Sequence, residues 1–264
     1  MLLTLNDNFY FTVGRYLIAG GSIDDLPDEL TEVVELVKTN STPFFGQLPS
    51  KRDKAVGAMF GNAPILCGGW DGSSILDSCI SFQNSQWSQS HSMNDKREYA
   101  AGVQINSTTF WILGGEHYAE GVWLDSTEFI FQGQTNGVPG PLLPYGLAYM
   151  CVVKLSEQEI FVIGGLDGIT SYRNEVWIYD PQNGFAKRQG PSLNVARCQH
   201  SCGTVRNGDK TFIIVAGGWN GRKLDSVEIY DPTDHTWHSG KTNSQNNYLI
   251  YYFQTKINQN TQQQ

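Results

Sequence analysis

Short apolar runs separated by turn residues dominate the chain, and their repetition predicts its elements. Tyr16-Leu17-Ile18-Ala19, Ile65-Leu66-Cys67, Trp111-Ile112-Leu113, Phe161-Val162-Ile163 and Phe212-Ile213-Ile214-Val215-Ala216 each run straight into a glycine pair. Runs this short, rich in β-branched and aromatic residues and closed by glycine, read as buried strands. The pairs are Gly20-Gly21, Gly68-Gly69, Gly114-Gly115, Gly164-Gly165 and Gly217-Gly218, with intervals of 48, 46, 50 and 53 residues between first glycines. One unit is therefore written five times, and a repeat architecture is expected. One segment reads two ways: Leu26, Leu30, Val33, Val34 and Val37 suit an amphipathic helix, whereas the repeat register requires a strand over 32–38. The strand is the expectation, because it agrees with four other units.

The periodicity extends past the glycines. Gly-Gly-Trp-Asp-Gly at 68–72 returns as Gly-Gly-Leu-Asp-Gly at 164–168 and Gly-Gly-Trp-Asn-Gly at 217–221. Leu76-Asp77-Ser78 recurs as Leu124-Asp125-Ser126 and Leu224-Asp225-Ser226. Val227-Glu228-Ile229-Tyr230-Asp231 matches Val176-Trp177-Ile178-Tyr179-Asp180, with an aromatic a few residues on at Trp237, Phe185 and Trp87. An apolar run ending in Gly-Gly, a downstream Tyr-Asp and a later aromatic resemble the kelch repeat. The resemblance covers about residues 9 to 240. It implies an all-β, kelch-type β-propeller whose blades are four-stranded antiparallel sheets. As a guide to function it is weak, because one such fold hosts many jobs.

On this reading residues 1–257 form one propeller, with repeats over 1–48, 49–93, 94–143, 144–193 and 194–241, and 258–264 is a polar, disordered tail. The innermost strands are expected at 52–60, 97–105, 145–154 and 197–206. The third repeat lacks its late aromatic and carries Gly133, Gly137, Pro139, Gly140 and Pro141, so its outermost strand should be short or missing. Closure has two readings. A strand at 247–257 returns to the first repeat and closes five blades, or it begins a sixth blade of an incomplete six-bladed ring.

Composition narrows the class. A charged fraction of 17% with 40% hydrophobic residues excludes a disordered chain. A net charge of −8 makes nucleic acid and anionic membrane poor partners. Neither a signal peptide nor an apolar run of membrane-spanning length is apparent, and a cytoplasmic location is expected. Cys67, Cys79, Cys151, Cys198 and Cys202 are an odd number scattered through strands, which suits reduced, buried thiols, with the Cys67/Cys79 pair left open. Asn40-Ser41-Thr42 and Asn106-Ser107-Thr108 are glycosylation sequons in a number that chance supplies.

Chemistry is sparse. Cys198, His200 and Cys202 alternate on one expected strand, yet one straight strand does not wrap a tetrahedral ion and no fourth ligand is evident. Packing is the expected role, and neither metal nor cofactor is expected. Two kelch precedents are enzymes, a copper-dependent sugar oxidase and a sialic acid isomerase, but their residue sets find no match among the five histidines and their neighbours. Binding at one face of the propeller is the expectation, since loops on a rigid scaffold carry recognition. The candidate residues follow the glycine pairs or open the inner strands: Arg52, Trp70, Arg97, His117, Tyr118, Tyr172, Arg173, Arg197, Trp219, Asn220 and Arg222. In kelch adaptors of ubiquitin ligases such arginines read acidic peptides, so the resemblance implies that Arg97, Arg197 and Arg222 grip a carboxylate on a protein or peptide partner. The plainer role for each inner-strand arginine is to satisfy carbonyls or pair with a neighbouring acid.

Overall fold

In the computed structural model the described residues are 48–240, apart from 62, 118 and 119, together with the backbone of five strands earlier in the chain. Those five are β1 (Leu3–Leu5), β2 (Asn8–Thr12), β3 (Tyr16–Ala19), β4 (Glu32–Leu36) and β5 (Phe44–Gln47), paired in that order in one antiparallel sheet. The contested segment is thus a strand, β4. The second sheet holds β6 (Val56–Phe60), β7 (Ala63–Cys67), β8 (Ser78–Gln83) and β9 (Gln86–Ser92). The third holds β10 (Ala101–Asn106), β11 (Thr109–Leu113), β14 (Thr127–Phe131) and β15 (Val138–Pro139), while β12 (Glu116–His117) and β13 (Val122–Trp123) form a small hairpin within its loop. The fourth holds β16 (Cys151–Lys154), β17 (Ile160–Leu166), β18 (Tyr172–Asp180) and β19 (Ala186–Gln189). The fifth holds β20 (Ser201–Asn207), β21 (Lys210–Ala216), β22 (Val227–Asp231) and β23 (Thr236–Gly240). Among the described residues no helix is long and apolar enough to cross a membrane. The expected closing strand and tail lie outside the described residues.

In the four-stranded sheets each apolar run is the second strand. Ile65, Trp111, Ile112, Phe161, Ile163, Ile213 and Val215 are all fully buried, although neighbouring positions point to opposite faces. Both faces are therefore covered, because successive sheets stack. Ala101, Val103 and Trp111 pack with Met150, Val162 and Tyr179 of the next sheet, and Phe161, Ile163 and Val176 pack with Ile213, Val215 and Tyr230. The first strands of the four-stranded sheets meet as well, β6 against β10, β10 against β16 and β16 against β20, while from the first sheet β2 lies against β6 and β1 against β20.

The late aromatics fill the space between sheets. Tyr230 and Trp237 are cross-strand neighbours with ring centroids 5.4 Å apart, and Phe82 and Trp87 repeat the arrangement at 5.5 Å. The third sheet has only the two-residue β15 as its outer strand, as its glycine and proline content predicts. There Phe185 of the following sheet stands 5.0 Å from Trp111 and 4.9 Å from Phe129.

The expectation of reduced cysteines is corrected. Cys67 and Cys79 are directly opposed on β7 and β8 with Cα atoms 4.0 Å apart and form a disulfide. Cys151 and Cys202 form a second, which joins the first strands of adjacent sheets. Only Cys198 is a free thiol, and burial pushes it up to about 12, so it is unreactive at neutral pH. Replacing Cys151 and Cys202 together by serine should lower unfolding free energy by about 2–4 kcal/mol. Urea unfolding of the oxidised proteins measures this, and a variant as stable as the parent would refute an intersheet staple.

Candidate ligand-binding site

The glycine pairs place the site because those at 68–69, 114–115 and 164–165 stitch two repeats, Gly69, Gly115 and Gly165 donating their amides to the carbonyls of Arg97, Leu147 and Arg197. In the four pairs from Gly68 onward φ is positive throughout, 66° and 88° at Gly68-Gly69 and 56° and 101° at Gly114-Gly115. A Cβ on Gly68 would stand 2.5 Å from the carbonyl oxygen of Arg97, and one on Gly115 would stand 2.7 Å from that of Glu98. Only glycine admits these approaches. The Leu-Asp-Ser tripeptides then close each loop: Leu76, Leu124 and Leu224 donate their amides to Gly69, Gly115 and Gly218 at 2.8–2.9 Å.

The inner arginines lie beneath these loops. Arg197 Nη1 donates to the carbonyls of Gly217 (2.7 Å) and Ser226 (3.1 Å), and Nη2 donates to Ser226 Oγ (3.0 Å) and Glu228 Oε1 (2.8 Å). Arg97 does the same with Gly114, Ser126 and Glu128, the last at 2.7 Å. Arg52 holds the carbonyls of Gly68 and Ser78, but the position that is glutamate in the other two sheets is Ile80. Without that carboxylate, burial lowers its guanidinium to about 10, with Asp71 opposing. Arg97 and Arg197 are 0% exposed and Arg52 is 2% exposed. Their assignment as ligand-gripping residues is therefore corrected: each is spent on the carbonyls of the glycine turn it supports.

Two residues beyond each arginine, or beyond Leu147 in the fourth sheet, the same loop turns through a residue that is half-buried at 54, 99 and 149 and exposed at 199. Lys54, Tyr99, Tyr149 and Gln199 have φ of 56°, 51°, 56° and 52°, a left-handed conformation that non-glycine residues seldom take. Their backbones form a relay. Tyr99 N donates to Lys54 O (3.2 Å), Tyr149 N to Tyr99 O (3.1 Å) and Gln199 N to Tyr149 O (3.0 Å). Four successive sheets thus contribute one residue each to a single arc. The relay also fixes the register of the fourth sheet, where Leu147, not Tyr145, occupies the arginine position. The expected alignment there slipped by two residues, since Leu147 offers no charge to mark the place. Ala148 bridges Leu166 as Asp53, Glu98 and Cys198 bridge Trp70, Glu116 and Trp219. All four inner strands begin four residues later than expected from their arginine or its replacement, because this left-handed loop precedes them.

Around the arc the side chains are aromatic and acidic. Lys54 Nζ lies 4.7 Å from the Tyr99 ring centroid, 5.3 Å from that of Trp70 and 3.1 Å from Glu98 Oε2. Burial pushes the Lys54 ammonium down, but Tyr99 and Glu98 outweigh it and leave it above its ordinary value. The Tyr99 and Tyr149 rings are 4.0 Å apart. Tyr149 Oη donates to Glu116 Oε1 at 2.5 Å. Burial raises the Glu116 carboxyl despite that hydrogen bond, and burial followed by Glu116 itself raises the Tyr149 phenol. On the neighbouring loops Trp219 Nε1 donates to Tyr172 Oη at 3.2 Å, and Arg173 stacks 4.7 Å over Tyr145 while pairing with Asp167 and Glu175.

Comparison with known proteins agrees with this geometry. The kelch motif matches residues 149–184 and 196–244, which covers β16 to β18 of the fourth sheet and the whole fifth sheet with its arginine, tripeptide and Tyr-Asp positions. A solved structure of YjhT superposes with a TM-score of 0.71 at 13% identity, covering 90% of this chain and 84% of that one. No curated protein matches the sequence. Two stretches of the chain are thus kelch motifs. Its fold is a kelch-type β-propeller.

Within the kelch units the remaining expected site residues divide. Trp70 is half-buried beside Lys54, Tyr172 and Arg173 are half-buried, and Trp219 and Arg222 are exposed, all on the same loop set. Asn220 shapes its turn, its amide donating to Arg222 O at 3.2 Å. His117 bonds the Lys96 carbonyl and lies 3.6 Å from Glu120. Tyr118 falls outside the described residues. Lys54, Glu98, Tyr99, Tyr149 and Gln199 were absent from the expected set. The signal for three of the arc residues was available: a polar or aromatic residue two places after each arginine.

Cys198, His200 and Cys202 do not converge. The left-handed Gln199 interrupts the strand, Cys202 is in a disulfide, and burial, then Arg197, lowers buried His200 to about 3 and keeps it neutral. Among the described residues, Asp231, Asp234 and His238 offer ligand atoms within 4.8 Å of one another. Their contacts serve the β22–β23 turn: Asp231 accepts from Thr233 N at 2.8 Å, and Asp234 accepts from Thr236 Oγ1 at 2.8 Å.

Proposed function

We propose that the arc of Lys54, Tyr99, Tyr149 and Gln199 is the binding surface of a non-enzymatic interaction module, and that it receives a protein or peptide. The observation that carries this reading is the left-handed backbone shared by all four residues. Such backbone strain persists only where the surroundings impose it, and it gathers at binding and active sites. Tyrosine and tryptophan supply large, stiff contact area at low entropic cost. The cations of the arc and of the Arg173 loop already pair internally, Lys54 with Glu98 and Arg173 with Asp167 and Glu175. An acidic motif therefore finds less here than the family resemblance implies, and the reading favours a partner with aromatic and basic side chains. Panning a displayed peptide library on the intact protein would supply a probe. Tyr99→Ala/Tyr149→Ala should bind the selected peptide at least about tenfold more weakly, a loss on the scale of one hot-spot contact. Equal affinity by calorimetry would remove the arc as the site.

A second reading, a sugar-acting propeller enzyme, is favoured by one feature. Glu116, with its raised carboxyl and its 2.5 Å hydrogen bond to Tyr149, resembles an acid/base pair. Turnover of simple sugars that disappears in Glu116→Gln would establish it in place of the binding module.

A further inference from the structure

We propose that Asn106 carries an N-linked glycan, and that the chain matures in an oxidising, glycosylating compartment. Two independent observations support this. The first is the pair of disulfides, Cys67–Cys79 and Cys151–Cys202. Such bonds form and persist where thiols are not kept reduced. Cys151 and Cys202 are only 8% and 4% exposed, and their bond ties two sheets, so it belongs to the folded core rather than to a reactive surface.

The second is the setting of the sequon. Asn106, Ser107 and Thr108 make the turn between β10 and β11, and all three are exposed. The Asn106 carboxamide oxygen accepts from Thr108 N at 2.9 Å and from Thr108 Oγ1 at 3.0 Å. The hydroxyl that defines the sequon thus engages the acceptor amide, and no packed side chain covers the turn. Placement fits too. β10 runs away from Tyr99 for roughly 20 Å at about 3.3 Å per residue, so Asn106 sits at the end of its sheet opposite the arc. A glycan there covers a bare hairpin and leaves the binding surface open.

In the transfer, the Asn106 amide nitrogen forms a bond to the anomeric carbon of a polyprenyl-pyrophosphate oligosaccharide. The carbon–oxygen bond to pyrophosphate breaks, the polyprenyl pyrophosphate leaves with the electron pair, and the nitrogen gives up one proton to a base of the transferase. The other sequon, Asn40-Ser41-Thr42, lies outside the described residues and serves as an internal comparison.

The test uses the chain recovered from the cells that make it, denatured, alkylated without reduction and treated with peptide N-glycosidase F in ¹⁸O water. Asn106 should appear as ¹⁸O-labelled aspartate, and only Cys198 should be alkylated. Asn106→Gln and Thr108→Ala should each lose one glycan step in gel mobility, and Ser107→Ala should keep it. An unlabelled Asn106 overturns the glycan, and alkylation of all five cysteines overturns the compartment. Neither result bears on binding at the arc.

Discussion

Arg197→Met is expected to remove about 3–5 kcal/mol of unfolding free energy, the cost of leaving a buried ion without its partner. Arg197 and Glu228 have side-chain exposures of 0% and 1%, and their contact is 2.8 Å. The substitution strips a carboxylate of its counter-charge and also leaves the carbonyls of Gly217 and Ser226 without their donor. The protein contains its own control. Where the fourth sheet has Leu147 in place of the arginine, it has Trp177 in place of the glutamate, and Leu147 belongs to an apolar cluster against which Trp177 packs. Arg197→Leu/Glu228→Trp should therefore recover part of the loss. Recovery stays incomplete, because Glu228 also accepts from the amides of Asn194 (2.6 Å) and Val195 (3.1 Å). Urea unfolding of the two variants settles it. A single mutant within 1 kcal/mol of the parent, roughly the worth of an exposed pair, would mean that the bridge is solvated.

This pairing also shows what the amino-acid pattern could and could not disclose. The blade was legible because its cause is local: paired glycines are required wherever two backbones approach closely at positive φ, and that requirement recurs with every repeat. The role of the arginines was harder to read. Arg97 and Arg197 each need a glycine turn, a Ser and a Glu brought together from positions up to 31 residues away, so sequence spacing alone left ligand gripping and carbonyl support both open. The arc was missed for a related reason. A left-handed backbone at Tyr99 or Gln199 is imposed by the relay between sheets, not by the intrinsic preference of tyrosine or glutamine. Cys151 and Cys202 were unreadable as a pair because they stand 51 residues apart on different sheets, whereas Cys67 and Cys79 share a hairpin and stayed open.

The late aromatics fill the space between sheets, and Tyr230→Ala measures what that filling contributes. Tyr230 is 2% exposed, with its ring 5.0 Å from Phe161 of the preceding sheet and 5.4 Å from Trp237 on the adjacent strand. Truncation leaves a ring-sized cavity between two sheets that several strands hold apart, so collapse is limited and a loss of about 3–5 kcal/mol is expected. Tyr230→Phe separates the ring from its hydroxyl. The phenol meets His235 Nδ1 at 3.0 Å in a part-buried turn, and losing one such bond should cost only about 0.5–1.5 kcal/mol. If packing between sheets is the role of this residue, the alanine variant falls far below the phenylalanine variant in urea midpoint. Equal losses in the two would assign the residue to its turn instead, and with it the Tyr-Asp signature that the fourth and fifth units share.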